Sequence, residues 1–330
     1  MRNIQSQPFK TLGMLLVLSM MFALTTVIAS AQTYPTKPIR LIIPFPPGGG
    51  TDIIGRPIAN QLSERLGKQV YIDNRGGAGS VIGNDIAAKA DPDGHTLLMN
   101  GNTFIIGATL RPVPYDTLKS FTPIAGIGSG PTVLFVIPTF PAKSVKDLIA
   151  LAKQKPGELL FASSGVGSGN HMAIELFKIM AGIDFRIVHF KGAGPALTDL
   201  LGGHVDVMFA TIGQPLPHIK AGRLRGLGTG GVKRSISLPD LPTIAEAGVP
   251  GFEVGQWWGI WAPAGTPGPI VDRLTKEIKE ILATDEVKKS FLSSGSEAGY
   301  LAPTEFVSFL KGERAKWTRV VKDANIKLEK

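Results

Sequence analysis

The chain has 330 residues, 43% of them hydrophobic, with no cysteine and a formal charge of +9. The missing cysteine excludes disulfides, thiolate metal sites and cysteine nucleophiles, and the apolar content excludes a disordered chain in spite of 40 glycines and 25 prolines. Lys and Arg are scattered rather than clustered, so the charge favours acidic small molecules through its field and gives no footprint for nucleic acid.

Arg2 and Lys10 precede an almost uninterrupted apolar run over 11–28, and Ala29-Ser30-Ala31 supplies the small-x-small pattern of a signal-peptidase site. Residues 1–31 are expected to be a signal peptide cleaved after Ala31, leaving an exported, soluble protein; a retained membrane anchor is the alternative. The remaining chain, about 300 residues, exceeds what one core usually serves, and two lobes are expected.

Short apolar strands then alternate with amphipathic helices, the pattern of an α/β fold with helices on both sheet faces. Strands are predicted over 39–44, 70–73, 96–99, 133–137, 160–163, 186–190, 205–209 and 259–262. Ile54, Ile58, Leu62 and Leu66 recur at helical spacing, with Pro57 predicting a late start or an early distortion. Val145, Leu148, Ile149 and Ala152 mark another helix, opened by Ser144 as N-cap with Asp147 three residues on. The last seventy or so residues read as three helices with little strand, Pro269 and Pro303 being suited to helix starts. A return strand near Trp258 makes the first lobe discontinuous: 32–130 and 256–330 form it, 131–255 forms the second, and crossover strands form the hinge.

Three glycine-bearing loops carry the functional reading. Pro44-Phe45-Pro46-Pro47-Gly48-Gly49-Gly50-Thr51-Asp52 follows a strand and precedes a helix. Three glycines there let backbone N–H groups approach a ligand, and the helix start adds unpaired donors. No Gly-Lys-Ser/Thr follows, so this is not a Walker loop. Ser163-Ser164-Gly165-Val166-Gly167-Ser168-Gly169-Asn170 precedes the helical pattern 172–180, and Lys191-Gly192-Ala193-Gly194 leads into Pro195 as a first helical residue. All three sit where open α/β sheets hold ligands, beyond the carboxyl ends of strands.

These loops belong to a longer ordered set: Tyr34-Pro35-Thr36-Lys37-Pro38-Ile39-Arg40, Asn74-Arg75-Gly76-Gly77-Ala78-Gly79, Asp91-Pro92-Asp93-Gly94-His95-Thr96-Leu97-Leu98, Tyr115-Asp116, Pro195-Ala196-Leu197-Thr198-Asp199-Leu200-Leu201-Gly202-Gly203, Leu241-Pro242-Thr243-Ile244-Ala245-Glu246-Ala247-Gly248 and Trp261-Ala262-Pro263-Ala264-Gly265-Thr266-Pro267. With them the chain resembles the Bug-type substrate-binding proteins of tripartite tricarboxylate transporters, from about residue 34 to the C-terminus. The resemblance implies a periplasmic two-lobed flytrap of the periplasmic-binding-protein type. In it a small carboxylate is held by main-chain groups and bridging waters rather than by an arginine clamp.

Carried over by position, it implies ligand contacts from Phe45, Pro47, Gly48, Gly49, Gly50, Thr51, Asp52 and Thr103 in the first lobe, the last within the segment around Asn102-Thr103-Phe104. In the second it implies Ser164, Ser168, Asn170, His171, Lys191, Gly192, Ala193, Gly194, Ala210 and Thr211. Many members place an acidic residue just after the strand at 205–209, where this chain has Ala210 and Thr211. Without that carboxylate the expected ligand carries no free amine, and a dicarboxylate or aromatic acid is favoured over an amino acid. Pro47 stands where the family usually has Ala.

Expected partners are the carboxylate and the membrane permease subunits of the transporter, for a monomer with no cofactor and no metal. His171 and Glu175, four apart on a helix, are too few for a metal site, and His189 and His204 read as structural. Ser164 near His171 lacks a G-x-S-x-G elbow and an orienting acid, so no hydrolase chemistry is expected. Trp257, Trp258 and Trp261 suit the cleft and the core equally. A ligand-presenting sensor for a receptor kinase is the rival with the same fold.

Overall fold

The computed structural model describes residues 34–48 and 50–326. The expected signal peptide and Gly49 lie outside the described residues. Two compact units are distinguished, residues 1–36 and 37–330. In the first, the Tyr34–Pro35 peptide is cis; all that follows concerns the second.

The fold is α/β. Strand β1 (Ile39–Ile43) is an apolar run whose Ile39, Leu41, Ile42 and Ile43 are all buried, as in a strand covered on both faces. It pairs in parallel with β2 (Val70–Asn74) and β3 (Thr96–Gly101). Helix α1 (Gly50–Leu66) starts directly after the glycine-rich loop and continues through Pro57, so the expected late start is not seen. Helices α2 (Val81–Ala88) and α3 (Thr103–Leu110) complete the first group.

The strand expected over 133–137 is the end of a much longer one, β4 (Phe121–Val136). Pro123, Gly126, Gly128, Gly130 and Pro131 break its apolar alternation, and register shifts fall between Pro123 and Ala125 and between Gly126 and Gly128. The partners of β4 change along its length. Residues 121–131 pair with β9 (Gly255–Pro263), while Thr132 to Val136 pair with β7 (Val207–Thr211). Strand β9 also pairs with β3, and with β5 (Leu160–Ser163) and β6 (Arg186–His189) the order is β2-β1-β3-β9-β4-β7-β5-β6.

The second group repeats the α/β pattern with α4 (Val145–Gln154), β5 (Leu160–Ser163), α5 (Gly169–Ala181), β6 (Arg186–His189), α6 (Ala193–Leu201) and the short α7 (Leu216–Lys220). Ser144 caps α4 by accepting from Asp147 N–H at 3.1 Å. Pro195 is the third residue of α6 rather than the first, because the helix opens on Ala193. Two strands were not expected, β8 (Arg225–Thr229) and β10 (Glu297–Leu301); both pair with β4, and neither has a continuous apolar run. The C-terminal helices are α8 (Gly268–Leu282), α9 (Asp285–Ser293) and α10 (Pro303–Asp323). Phe104, Phe121, Trp261 and Phe306 pack around one another on one side of the β4 switch, and Phe161, Phe177, Phe209 and Phe252 on the other. No helix among the described residues is long and apolar enough to cross a membrane.

Candidate functional site

The loop after β1 is held in shape by its own aspartate. Gly48, at φ 80° where a glycine is needed, donates its N–H to Asp52 Oδ2 at 2.8 Å. Arg56 Nε donates to the same oxygen at 2.9 Å, and Asn74 Nδ2 donates to Oδ1 at 3.1 Å and to the Phe45 carbonyl at 2.9 Å. Asp52 is 1% exposed. Burial opposes its charge, but the hydrogen bonds from Gly48, Arg56 and Asn74 outweigh that and hold the carboxyl below the ordinary carboxylate range. The Asp52 side chain is thus committed to the loop, while Pro47, Gly48 and Gly50 are exposed and Phe45 is half-buried. Thr51 Oγ1 accepts from Trp258 Nε1 at 3.3 Å.

Behind this loop lies a buried amide network that the sequence reading missed. Asn100 Nδ2 donates to Asn84 Oδ1 at 2.8 Å, and Asn84 Nδ2 donates to Tyr115 Oη at 2.9 Å. Asn100 Oδ1 accepts from Gly101 N–H and from Thr103 Oγ1, which fixes Thr103 as the first residue of α3. Asn100, ending the apolar run Leu97-Leu98-Met99, is its one trace in the sequence.

On the other side of the β4 switch, Ser163 Oγ ties the Gly165 turn by donating to its carbonyl and accepting from its N–H. Ser168 caps α5 by accepting from His171 N–H, and His171 Nδ1 accepts from Gly167 N–H at 3.0 Å. Asn170 Nδ2 donates to the Phe209 carbonyl at 2.8 Å, which seats the start of α5 on β7. These side chains shape the loop, and Ser164 stays half-buried beside them. The adjacent turn has Lys191 and Gly194 exposed and Gly192 at φ 119°, and no side chain caps the start of α6. Strand β7 runs on through Ala210 and Thr211; Ala210 is buried in the core with Val133 and Met208, so only its main chain remains for a ligand.

His171 and His189 stack edge to face with centroids 4.8 Å apart, and His171 Nε2 lies 3.6 Å from Glu175 Oε1. His189 Nδ1 is 3.3 Å from Ser163 Oγ rather than near Ser164. His204 stands beside Asp199 on the surface. The three tryptophans are core: Trp257 donates to Glu313, Trp258 to Thr51, and Trp261 lies 4.6 Å from Phe104 between ring centroids. Trp258 touches the first loop through Thr51.

The two loop sets meet. A Cβ built on Gly169, the first residue of α5, would stand 2.8 Å from Asn102 Nδ2, just before α3. The starts of α1, α3, α5 and α6 each follow the carboxyl end of a strand, and α3 has no side-chain cap either. Uncapped helix starts leave N–H donors and a positive dipole end for an anion. A cavity of about 280 Å³ lies elsewhere, at the β4–β9 crossing, lined by Gly130, Pro131, Gln256, Trp257 and Glu313; an open groove follows Lys311, Arg314 and Lys322 on α10.

Solved structures share this fold. Rpa4515 of R. palustris, solved with adipate, superposes with a TM-score of 0.80 and 37% identity over 89% of this chain and 99% of its own. MatC from Rhodopseudomonas palustris, solved with bound malate, gives 0.77 and 31% over 87% and 100%. The periplasmic binding protein BugD gives 0.78 and 32% over 90% and 100%. The sequence model of the family described as "Tripartite tricarboxylate transporter family receptor" matches residues 54–326. On that span and those identities, the chain belongs to the tripartite tricarboxylate transporter receptor family and has the α/β periplasmic-binding-protein fold of its relatives.

Proposed function

We propose that this chain is a periplasmic solute-binding protein that closes two lobes around a small carboxylate and passes it, chemically unchanged, to the membrane permease of a tripartite transporter. The observation that carries the reading is the contact between Asn102, just before the uncapped start of α3, and Gly169, the first residue of α5, which brings together helix starts at the carboxyl ends of strands from both sides of the β4 switch. Main-chain donors of this kind hold an anion without a buried cation, and Lys191, the basic residue of these loops, is exposed. Relatives solved with adipate and with malate support a carboxylate guest. The lobes would be residues 32–130 with 256–330, and residues 131–255, acting as a monomer. With Ala210 and Thr211 in place of an acid at the end of β7, nothing there pairs with an ammonium group, so a dicarboxylate or aromatic acid is favoured over an amino acid.

A thermal-shift screen of mono-, di- and tricarboxylates, aromatic acids and amino acids tests this. A ligand at a hundred times its Kd stabilises by about 2.7 kcal/mol, so a true guest raises the melting temperature visibly. No shift with any acid would refute the reading, and calorimetry showing aspartate or glutamate bound tighter than simple diacids would refute the amine argument.

A further inference from the structure

His171 is a titratable group buried in the second loop set, 4% exposed, and both of its ring nitrogens face the protein. It holds the turn before α5 from two sides. Its N–H donates to Ser168 Oγ at 3.1 Å, and its Nδ1 accepts from Gly167 N–H at 3.0 Å. A backbone N–H can only donate, so Nδ1 carries a lone pair and the ring is neutral with its proton on Nε2. Two ionisable side chains stand against this ring. On its own helix, Glu175 Oε1 lies 3.6 Å from Nε2. From β6, His189 meets it edge to face with centroids 4.8 Å apart, and His189 is exposed and beside Ser163 Oγ. At the tip of the turn Val166 is 40% exposed, so the turn borders water.

We infer that His171 is a proton switch on capture: a second proton on its ring, taken from water at Nδ1, breaks the bond from Gly167 N–H, loosens residues 165–168 and releases the acid. The inference rests on the carboxylate-binding reading above. Histidine changes charge between pH 5 and 8, and here the two states differ at the one atom that holds the turn. With Nδ1 protonated, two N–H groups would point at each other. The start of α5 stays seated on β7 through Asn170, so it is the turn that gives way. The new positive charge does not make up the loss by attracting the guest, because Glu175 lies beside it and neutralises it. Affinity is therefore full where the ring is neutral and falls as pH drops. Linkage is mutual, so the guest in turn drives a proton off the ring. In the ligand-free protein the turn loosens into water at little cost, which puts the pH dependence on binding and not on melting temperature.

The test is titration calorimetry at pH 7.5 and 5.5 with the acid that gives the largest shift in the thermal screen, on the unsubstituted protein, His171→Asn, Glu175→Gln and His189→Gln. The unsubstituted protein should bind at least fivefold more weakly at pH 5.5, and binding there should release protons to the buffer. Asparagine offers an oxygen near the place of Nδ1 and does not titrate. In His171→Asn the ratio between the two pH values should therefore fall below twofold, whatever the affinity at pH 7.5; titration of the acid itself is common to all four proteins and cancels in the comparison. Glu175→Gln takes the partner from the imidazolium, so its loss of affinity should move to lower pH, while His189→Gln should keep or enlarge the fivefold ratio. Nitrogen-15 NMR of the imidazoles reads the same atom without any variant: His171 Nδ1 should be unprotonated at pH 7.5. Equal affinity of the unsubstituted protein at both pH values, a fivefold ratio kept in His171→Asn or lost in His189→Gln, or a proton on Nδ1 at pH 7.5 would each overturn the switch while leaving the carboxylate reading intact. Failure to bind any acid at pH 7.5 would remove both.

Discussion

Asp52 acts within its loop, gathering Gly48, Arg56 and Asn74 around one carboxylate, and this gives the loop a pH limit. Its folded pKa lies below the unfolded value of about 3.9. A depressed pKa contributes stability that is complete above the unfolded value and disappears as pH falls through the folded one. Asp73 and Asp93 shift the same way: burial opposes their charge, and hydrogen bonds from Arg75 and Arg40, and from His95 and Lys37, overcome it. The melting temperature should therefore stay level from pH 7 to about 5 and fall below about 4. Asp52→Asn should cost about 1–3 kcal/mol at pH 7 and progressively less toward pH 3, as thermal unfolding across that range would show. An equal loss at both ends would place the role of Asp52 in its shape and not in its charge. The family resemblance implied a ligand contact for this residue, carried over by position. It gave no sign that Asn74, twenty-two positions on, would claim the carboxylate first. Asn84 and Asn100 were invisible for the same reason, since an amide's partner is set by the fold and not by its neighbours in the chain.

At the scale of elements, legibility followed apolar continuity. The core strands β1, β3 and β5 and the face of α1 stood out because their buried residues recur at strand or helix period. The first twelve residues of β4 did not, because prolines and glycines interrupt the pattern where bulges and close crossings need them. Gly128 and Gly130 illustrate the need: a Cβ on either would fall within 2.5 Å of Phe291 or Ser296. Helix α10 was readable from its N-terminal proline, but what it grips was not. Its Phe306, Leu310, Glu313, Trp317 and Val320 are buried along one face. Glu313 Oε2 accepts from the indoles of Trp257 and Trp317, each at 2.9 Å, and Oε1 pairs with Lys316. Glu313→Ala would strand two buried indole N–H groups and should cost about 2–4 kcal/mol in urea unfolding. Glu313→Gln keeps one acceptor and should cost less than half of that. Equal losses would mean that the charge, rather than the hydrogen bonds, secures α10 to β9.

For the whole molecule, the geometry at the β4 switch decides how the proposed lobes move. Thr132 Oγ1 donates to the Val254 carbonyl at 2.9 Å, Gly230 N–H donates to the Thr132 carbonyl at 2.8 Å, and Val254 N–H donates to the Gly230 carbonyl at 2.8 Å. Three chain segments are thus pinned at one point, with room for nothing larger than glycine at 230, where a Cβ would lie 2.3 Å from the Val254 carbonyl oxygen. A joint pinned this tightly favours rotation about the crossing over sliding of one strand group past the other. Asn102 against Gly169 is where the two loop sets touch, and the proposed rotation would part them there. Without a guest the facing helix starts gain by opening to water, so the ligand-free protein should be the more extended form. Small-angle scattering with and without whichever acid gives the largest shift in the thermal screen should show the radius of gyration shrink on binding, with saturation at the same ligand ratio as calorimetry. Saturable binding without contraction would mean that the guest enters a preformed closed cleft, and rotation about Thr132 and Val254 would then have no part in capture.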